Sequence, residues 1–218
     1  MNKKTVFFLT GDFWHSSESI KPLCQKLFDE EKWQVTFTQK PEDLYKQQTK
    51  PDLIITFKDP IENDQIPTPV WCDEKWTNTV LDLVENNGSG IIIAHAAVTD
   101  LEKNHALVQK LIHSIFITHP AQCPLKIEKT ENHPVMENVK DFEFPENDEH
   151  YQMEMTENFR GKIVAVSKSQ HGTKPAVWVD QMGKGKICCI TPAHTTKNLL
   201  CEGFFNIMNN AVAWCVKK

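Results

Sequence analysis

The sequence predicts an α/β fold built on a mostly parallel central sheet. Three observations carry that expectation. Short apolar runs at residues 6–9, 52–57 and 90–94 alternate with segments of helical spacing. Turn or capping residues close these runs, as buried strands require. At 218 residues the chain is long enough to bury both faces of such a sheet.

In chain order, Val6-Phe-Phe-Leu9 reads as a first buried strand, with residues 10–15 as the loop beyond it. Ser16 or Ser17 can cap a helix whose apolar positions include Ile20, Leu23, Leu27 and Phe28. Residues 34–38 alternate like a second strand. Asp52-Leu-Ile-Ile-Thr-Phe57 is a third, ended by Asp59-Pro60 because proline cannot donate to a strand ladder. Residues 61–70, with Pro67 and Pro69 following Pro60, read as an irregular surface loop. Asp73 starts a helix through Trp76, Val80, Leu83 and Val84 that stops at Asn86-Asn87-Gly88. A fourth strand covers residues 90–94. Residues 101–112 have helical spacing and lead into Ile115-Phe-Ile-Thr-His119-Pro120.

Residues 125–160 are rich in charge, histidine and proline, with a less regular pattern. Residues 125–127, 163–167, 176–179 and 186–191 look like strands, and Gly183-Lys-Gly185 supplies a tight turn between the last two. That hairpin would extend or edge the sheet. Residues 202–215 close the chain as a helix on Phe204, Phe205, Ile207, Met208, Val212 and Trp214. Strands alternating with helices in the first half imply parallel pairing with right-handed crossovers. With no internal repeat or low-complexity stretch, residues 1–218 are expected to form one domain.

Composition narrows the function. With 24 basic and 29 acidic side chains the net charge is −5. No Lys/Arg cluster is present, so no nucleic acid is expected as partner. The apolar run after Lys3-Lys4 breaks at Gly11-Asp12, too early for a secretory signal, and no segment approaches a membrane span. A soluble, cytoplasmic chain is expected. The seven cysteines include no Cys-x-x-Cys pair, and adjacent Cys188 and Cys189 face opposite sides of a strand, which suits packing in a reduced compartment.

The chemistry points to strand ends. Gly88-Ser-Gly-Ile-Ile-Ile-Ala-His95-Ala-Ala97 delivers an imidazole just past a buried strand, where open α/β sheets collect reactive groups. His15 follows the first strand through a short loop, and His194 follows Ile187-Cys-Cys-Ile190 through Thr-Pro-Ala. Asp148-Glu149-His150-Tyr151 adds carboxylates and a phenol. His15, His95, Glu149 and His194 form a donor set suited to a divalent zinc, manganese or iron ion. The same region could move protons beside a carbonyl, with His95, Glu149 and Tyr151 as the catalytic groups. Trp14 is the aromatic expected to stack on a sugar face, with His119 and Asp148 as further substrate contacts. His105 and His113 fall in the helical stretch, His133 shapes a turn before Pro134, and His171 is given no role. No Gly-x-Gly-x-x-Gly follows the first strand, and neither a phosphate-binding loop nor a Gly-x-Ser-x-Gly elbow is present. No nucleotide cofactor is expected, and nicotinamide enzymes, NTPases and serine hydrolases are disfavoured.

Several blocks resemble the ThuA-like, or trehalose-utilisation, family of the class I glutamine amidotransferase-like superfamily. They are the His15 loop, the segment ending at His95-Ala-Ala97, Phe116-Ile-Thr-His119-Pro120 and His133-Pro134-Val135. Asp148-Glu149-His150-Tyr151, Pro175-Ala-Val-Trp178, Gly183-Lys-Gly-Lys186, His194 and Ala213-Trp214 follow in the same order. The resemblance implies a flavodoxin-like three-layer sandwich with its site over the strand ends. In true amidotransferases the corresponding strand leads to a nucleophilic cysteine on a sharp turn. Here that turn reads Ala94-His95-Ala96-Ala97, so glutaminase activity is not expected.

The family is associated with sugar catabolism, including keto-sugars. The leading expectation is therefore a carbohydrate enzyme that polarises a keto-sugar or glycoside with a metal, while Glu149 or Tyr151 moves a proton. A non-catalytic sugar- or partner-binding module is the alternative, and metal-dependent hydrolysis of an amide or ester is a third reading. The expected partner is a small-molecule carbohydrate, with a homo-oligomer also allowed.

Overall fold

The computed structural model describes residues 3–65 and 69–217. In chain order the elements are β1 (Lys4–Leu9), α1 (Ser17–Leu27), β2 (Trp33–Thr38), β3 (Leu53–Thr56), α2 (Glu74–Glu85) and β4 (Gly90–Ala94). Next come β5 (Ser114–Thr118), β6 (Lys126–Lys129), β7 (Phe142–Glu143), β8 (Gln152–Met155), β9 (Lys162–Ser169), β10 (Gly172–Met182) and β11 (Gly185–Ile190). Helices α3 (Thr196–Leu200) and α4 (Glu202–Cys215) close the chain.

Nine strands form one sheet in the order β2-β1-β3-β4-β11-β10-β9-β6-β7. The β2-to-β11 half is parallel throughout, and the pairs from β11 to β7 are antiparallel. The Gly183-Lys-Gly185 hairpin therefore seams the two halves. It sets β11 parallel to β4 and turns β10 back beside it.

The apolar runs work because β1, β3, β4 and β11 are each buried on both faces. Val6, Phe8, Leu53, Ile55, Ile92, Ala94, Cys188 and Ile190 pack with α1 and α4 on one side. Phe7, Leu9, Ile54, Ile91, Ile93, Ile187 and Cys189 pack with α2 on the other. Two clusters separated by a sheet make the three-layer α/β sandwich. The caps are as the residue chemistry requires: Ser16 accepts from the Glu18 amide, and Asp73 from the Trp76 amide. Six cysteines are buried, Cys201 is half-buried, and all seven are free.

Two regions differ from the sequence expectation. Residues 101–112 do not form one regular helix; winding begins only at residue 106 and widens over Val108–Ile112, closed by the His113 amide on the Val108 carbonyl at 2.8 Å. His105 Nδ1 accepts the Leu107 amide where winding begins, and the Ile112 carbonyl accepts the buried Trp178 indole N–H at 2.7 Å. A tertiary hydrogen bond thus satisfies the last carbonyl of the segment. Within the irregular middle region, β8 pairs antiparallel with β5 as a separate two-stranded sheet, a pairing the sequence pattern did not signal. The base of the 61–70 loop is clipped by an Ile61–Val70 bridge, while Pro67 lies outside the described residues.

Gly90 begins β4 where α4 ends, and a Cβ there would stand 2.6 Å from both Cys215 Cβ and the Cys215 carbonyl oxygen. Gly90→Ala is expected to cost ~1–3 kcal/mol through overpacking. A lowered urea midpoint at constant slope would show it, whereas an unchanged midpoint would mean that the end of α4 yields freely.

Candidate active site at the strand ends

Three strands of the parallel half deliver the imidazoles. His15 lies on the loop after β1, His95 begins a 3₁₀ turn (His95–Val98) directly after β4, and His194 follows β11. His95 and Ala193 adopt left-handed backbone with φ of 50° and 81°. Such angles are costly for residues with a Cβ, and they turn the chain sharply where the site forms. Glu149 and Tyr151 arrive from the connection that leads into β8.

Among the described residues, one ligand atom from each of His15, His95, Glu149 and His194 lies within 4.8 Å of the others. His95 Nε2 is 3.1 Å from His194 Nδ1 and 3.5 Å from Glu149 Oε2, and Glu149 Oε1 is 3.3 Å from His194 Nδ1. Donors bound to one ion at ~2.0–2.2 Å sit about 2.8–3.5 Å apart, so the spacings among His95, Glu149 and His194 suit a shared ion. The outer nitrogens are already oriented. His15 Nδ1 pairs with Asp12 Oδ1 at 2.9 Å, and His95 Nδ1 donates to the Thr191 carbonyl at 3.0 Å. Fixing one ring nitrogen this way turns the other inward, as metal-binding histidines require. The cluster could hold a metal ion.

Electrostatics sort the groups. Burial pushes the His95 imidazole down to about 3, with repulsion from His15 adding, so His95 is neutral and keeps a lone pair. Burial alone would raise Glu149. The His194 hydrogen bond and the surrounding imidazoles outweigh it and hold the carboxyl below its usual range. His194 is raised by the same bond to Glu149. The buried Tyr151 phenol, 3.4 Å from His95 Nε2, is pushed well above its ordinary value by burial and the nearby carboxylates, and it keeps its proton.

The cluster opens into a cleft of about 480 Å³. Trp14, 42 % exposed, forms its lip, and His119 lines it while stacking on Tyr151 with centroids 5.7 Å apart. The structure thus brings His15, His95, Glu149, Tyr151 and His194 together, with Trp14 and His119 at the mouth. Asp148 is placed differently from the expectation. Its carboxylate is fully buried behind the site and accepts from the Glu149 amide (2.8 Å), the His194 amide (3.2 Å) and Asn198 Nδ2 (2.7 Å). It anchors two site residues and is closed off from the cleft.

Sequence reasoning missed Asp12, Asn198, Asp59 and Thr99. Asp12 was legible only as the residue after Gly11, and Asp59 only as a strand terminator.

This arrangement defines an α/β protein whose site crowns the carboxyl ends of a parallel half-sheet. Residues 4–215 match the family described as ThuA, trehalose utilisation, and the chain belongs to that family. A ThuA-like protein from Parabacteroides merdae is similar in structure, with a TM-score of 0.76 at 17% identity over 99% of this chain and 91% of that one. A cytoplasmic protein from Salmonella typhimurium has a TM-score of 0.63 at 14% identity, covering 98% of this chain and all of that one. A GH42 β-galactosidase from G. stearothermophilus reaches 0.62 at 10% identity, covering 98% of this chain but 30% of that larger one. No curated protein matches in sequence. At these identities the likeness is one of fold.

Asn198 is fully buried, and its amide ties Asp148 to the Glu146 backbone. Asn198→Ala is expected to destabilise by ~1–3 kcal/mol, because it strips a buried carboxylate of a donor. Chemical denaturation checks this, and a loss below about 0.5 kcal/mol would show that the two backbone amides suffice.

Proposed function

We propose that this protein is a carbohydrate enzyme that moves a proton beside the carbonyl of a keto-sugar or related glycoside, with a divalent ion held by His15, His95, Glu149 and His194. The observation that carries the reading is the convergence of those four donors at one sheet edge, with carboxylate and carbonyl partners behind His15 and His95. Zinc, manganese and iron all suit three imidazoles and a carboxylate. A bound ion would supply Lewis acidity toward a carbonyl oxygen.

The chain's own groups divide the remaining work. Trp14 offers a ring face to a sugar at the cleft mouth. Tyr151, held protonated, donates a hydrogen bond to a substrate oxygen, and His119 orders that end of the cleft. Both Glu149 oxygens face imidazoles, which supports an ion-holding role over that of free base. The turn at Ala94-His95-Ala96-Ala97 offers no thiolate, so glutaminase chemistry is not part of the reading. The proposal treats residues 1–218 as one domain acting in the cytoplasm. The family match across 4–215 supports the first point. The description of the Salmonella neighbour supports the second, and no helix among the described residues is long and apolar enough to cross a membrane.

Elemental analysis of protein purified without a metal-affinity tag tests the reading. About one zinc, manganese or iron per chain is expected, lost in His95→Ala. Asp12→Asn is expected to keep the fold and weaken the ion's affinity roughly 10–100-fold in a chelator competition. Metal-free protein from metal-supplemented growth, stabilised by sugars it does not convert, would instead establish a binding module.

A further inference from the structure

The proposed reaction needs a group that takes a proton from carbon and gives it back. Glu149 is engaged by imidazoles through both oxygens, and Tyr151 keeps its proton. Asp59 lines the same cleft, lies just after β3, and touches none of the four cluster residues by any hydrogen bond. We propose that Asp59 is the acid–base residue that removes the carbon-bound proton of the sugar and returns it to the neighbouring carbon, a role that rests on the isomerase reading above.

The hydrogen bonding around Asp59 is built for a carboxyl that alternates between its two forms. Oδ1 accepts the Ile61 amide at 2.9 Å, which fixes the side chain. Oδ2 lies 3.4 Å from Thr99 Oγ1, and that hydroxyl also donates to the Ala96 carbonyl at 2.7 Å. A hydroxyl has one proton, and the shorter contact takes it. Thr99 therefore turns a lone pair toward Oδ2, ready to accept from a protonated Asp59.

Asp12, one hydrogen bond away, has the opposite setting. Its oxygens accept from the amides of Trp14, His15 and Asp59 and pair with the His15 ring, which stabilises the carboxylate. Two neighbouring aspartates in such different environments separate a permanent anion from a proton carrier. Burial first, then Asp100 and Asp12, push Asp59 up to about 7, so both of its forms are populated at neutral pH. The charged and titratable groups facing it are Asp12 from the loop after β1, Asp100 beyond β4, Lys58 beside it, Cys72 before α2, and Tyr151 across the cleft.

The step balances without a co-reactant. The Asp59 carboxylate takes the hydrogen on the carbon beside the carbonyl. The C–H pair becomes the C=C bond, and the carbonyl π pair moves to oxygen. The proton rests on Oδ2 against Thr99, then bonds to the former carbonyl carbon while a hydroxyl proton passes between the two oxygens. The sugar leaves isomerised and Asp59 is restored.

Carbon-13 NMR of the side-chain carboxyls in the full chain tests the carrier directly. One aspartate is expected to titrate near pH 7, and its resonance should vanish in Asp59→Asn. A midpoint for Asp59 below pH 5 overturns the inference whatever the substrate. The sign extends to stability. A raised folded-state value favours the folded protein at low pH and loses that advantage as pH rises through 7. Asp59→Asn should thus gain melting temperature over the wild type between pH 5.5 and 8.5, and an equal gap across that range counts against the role.

The second arm follows deuterium uptake from D2O into D-fructose, D-tagatose and L-sorbose. Asp59→Asn is expected to slow exchange at least ~100-fold while keeping the bound ion. Exchange at the wild-type rate overturns the assignment of Asp59. Absence of exchange by the wild type on all three overturns the isomerase reading itself, and the role of Asp59 with it.

Discussion

Parallel pairing of β4 between β3 and β11 forces three chain segments to leave the sheet at one edge, in strands about 4.8 Å apart. With β1 beside β3, the chain after each strand has to turn within the same small volume. That constraint supplies His15, Asp59, His95 and His194 from four separate strands. It needs no loop of unusual length. It does need strands buried on both faces, because only then is their register fixed tightly enough to hold imidazole nitrogens 3–3.5 Å from their partners.

A second layer converts proximity into geometry. Asp148, fully enclosed, accepts the backbone amides of both Glu149 and His194, so the two residues that meet through their side chains are also joined through their backbones. Burial pushes this carboxyl up to about 6, against the pull of Asn198 and the two amides. Asp12 plays the same part for the β1 loop, where its carboxylate ties His15 and the Asp59 amide together. The site is thus bound from behind by buried carboxylates, neither of which lines the cleft.

Much of this was legible in residue pattern. Runs such as Ile91-Ile-Ile93 and Phe7-Phe8 declare strands buried on both faces, and the caps at Ser16 and Asp73 follow from local hydrogen-bond chemistry that needs no tertiary information. The strand-end histidines followed from the same logic, since a strand identified is also a strand end identified. Other features depend on partners remote in sequence. The stretch 101–112 has the apolar spacing of a helix, yet winding starts only at residue 106 and ends in a wide turn whose last carbonyl is held by Trp178, 66 residues beyond Ile112. The β5–β8 pair joins segments whose alternation is weak on its own. Asp148 read as a candidate for substrate contact because its neighbours are polar, and only the fold reveals that Asn198 and two amides enclose it. Asp59 sits before a proline, where an aspartate has an ordinary structural explanation, and nothing local distinguishes it.

The turn at His95 joins these themes. Left-handed backbone at the first residue after a buried strand points that side chain into the space above the sheet. In the amidotransferase arrangement that this family resembles, such a turn presents a cysteine nucleophile. Here the side chain presented is an imidazole that burial holds neutral, flanked by two further imidazoles and a carboxylate. A neutral imidazole with one nitrogen committed to the Thr191 carbonyl is a poor nucleophile toward an amide and a good ligand for a cation. In the proposed reading, the strained turn therefore presents a ligand for a cation where the amidotransferase arrangement presents a nucleophile. In the proposed reaction, proton movement falls to a residue outside the cluster, because both Glu149 oxygens face imidazoles and Tyr151 keeps its proton.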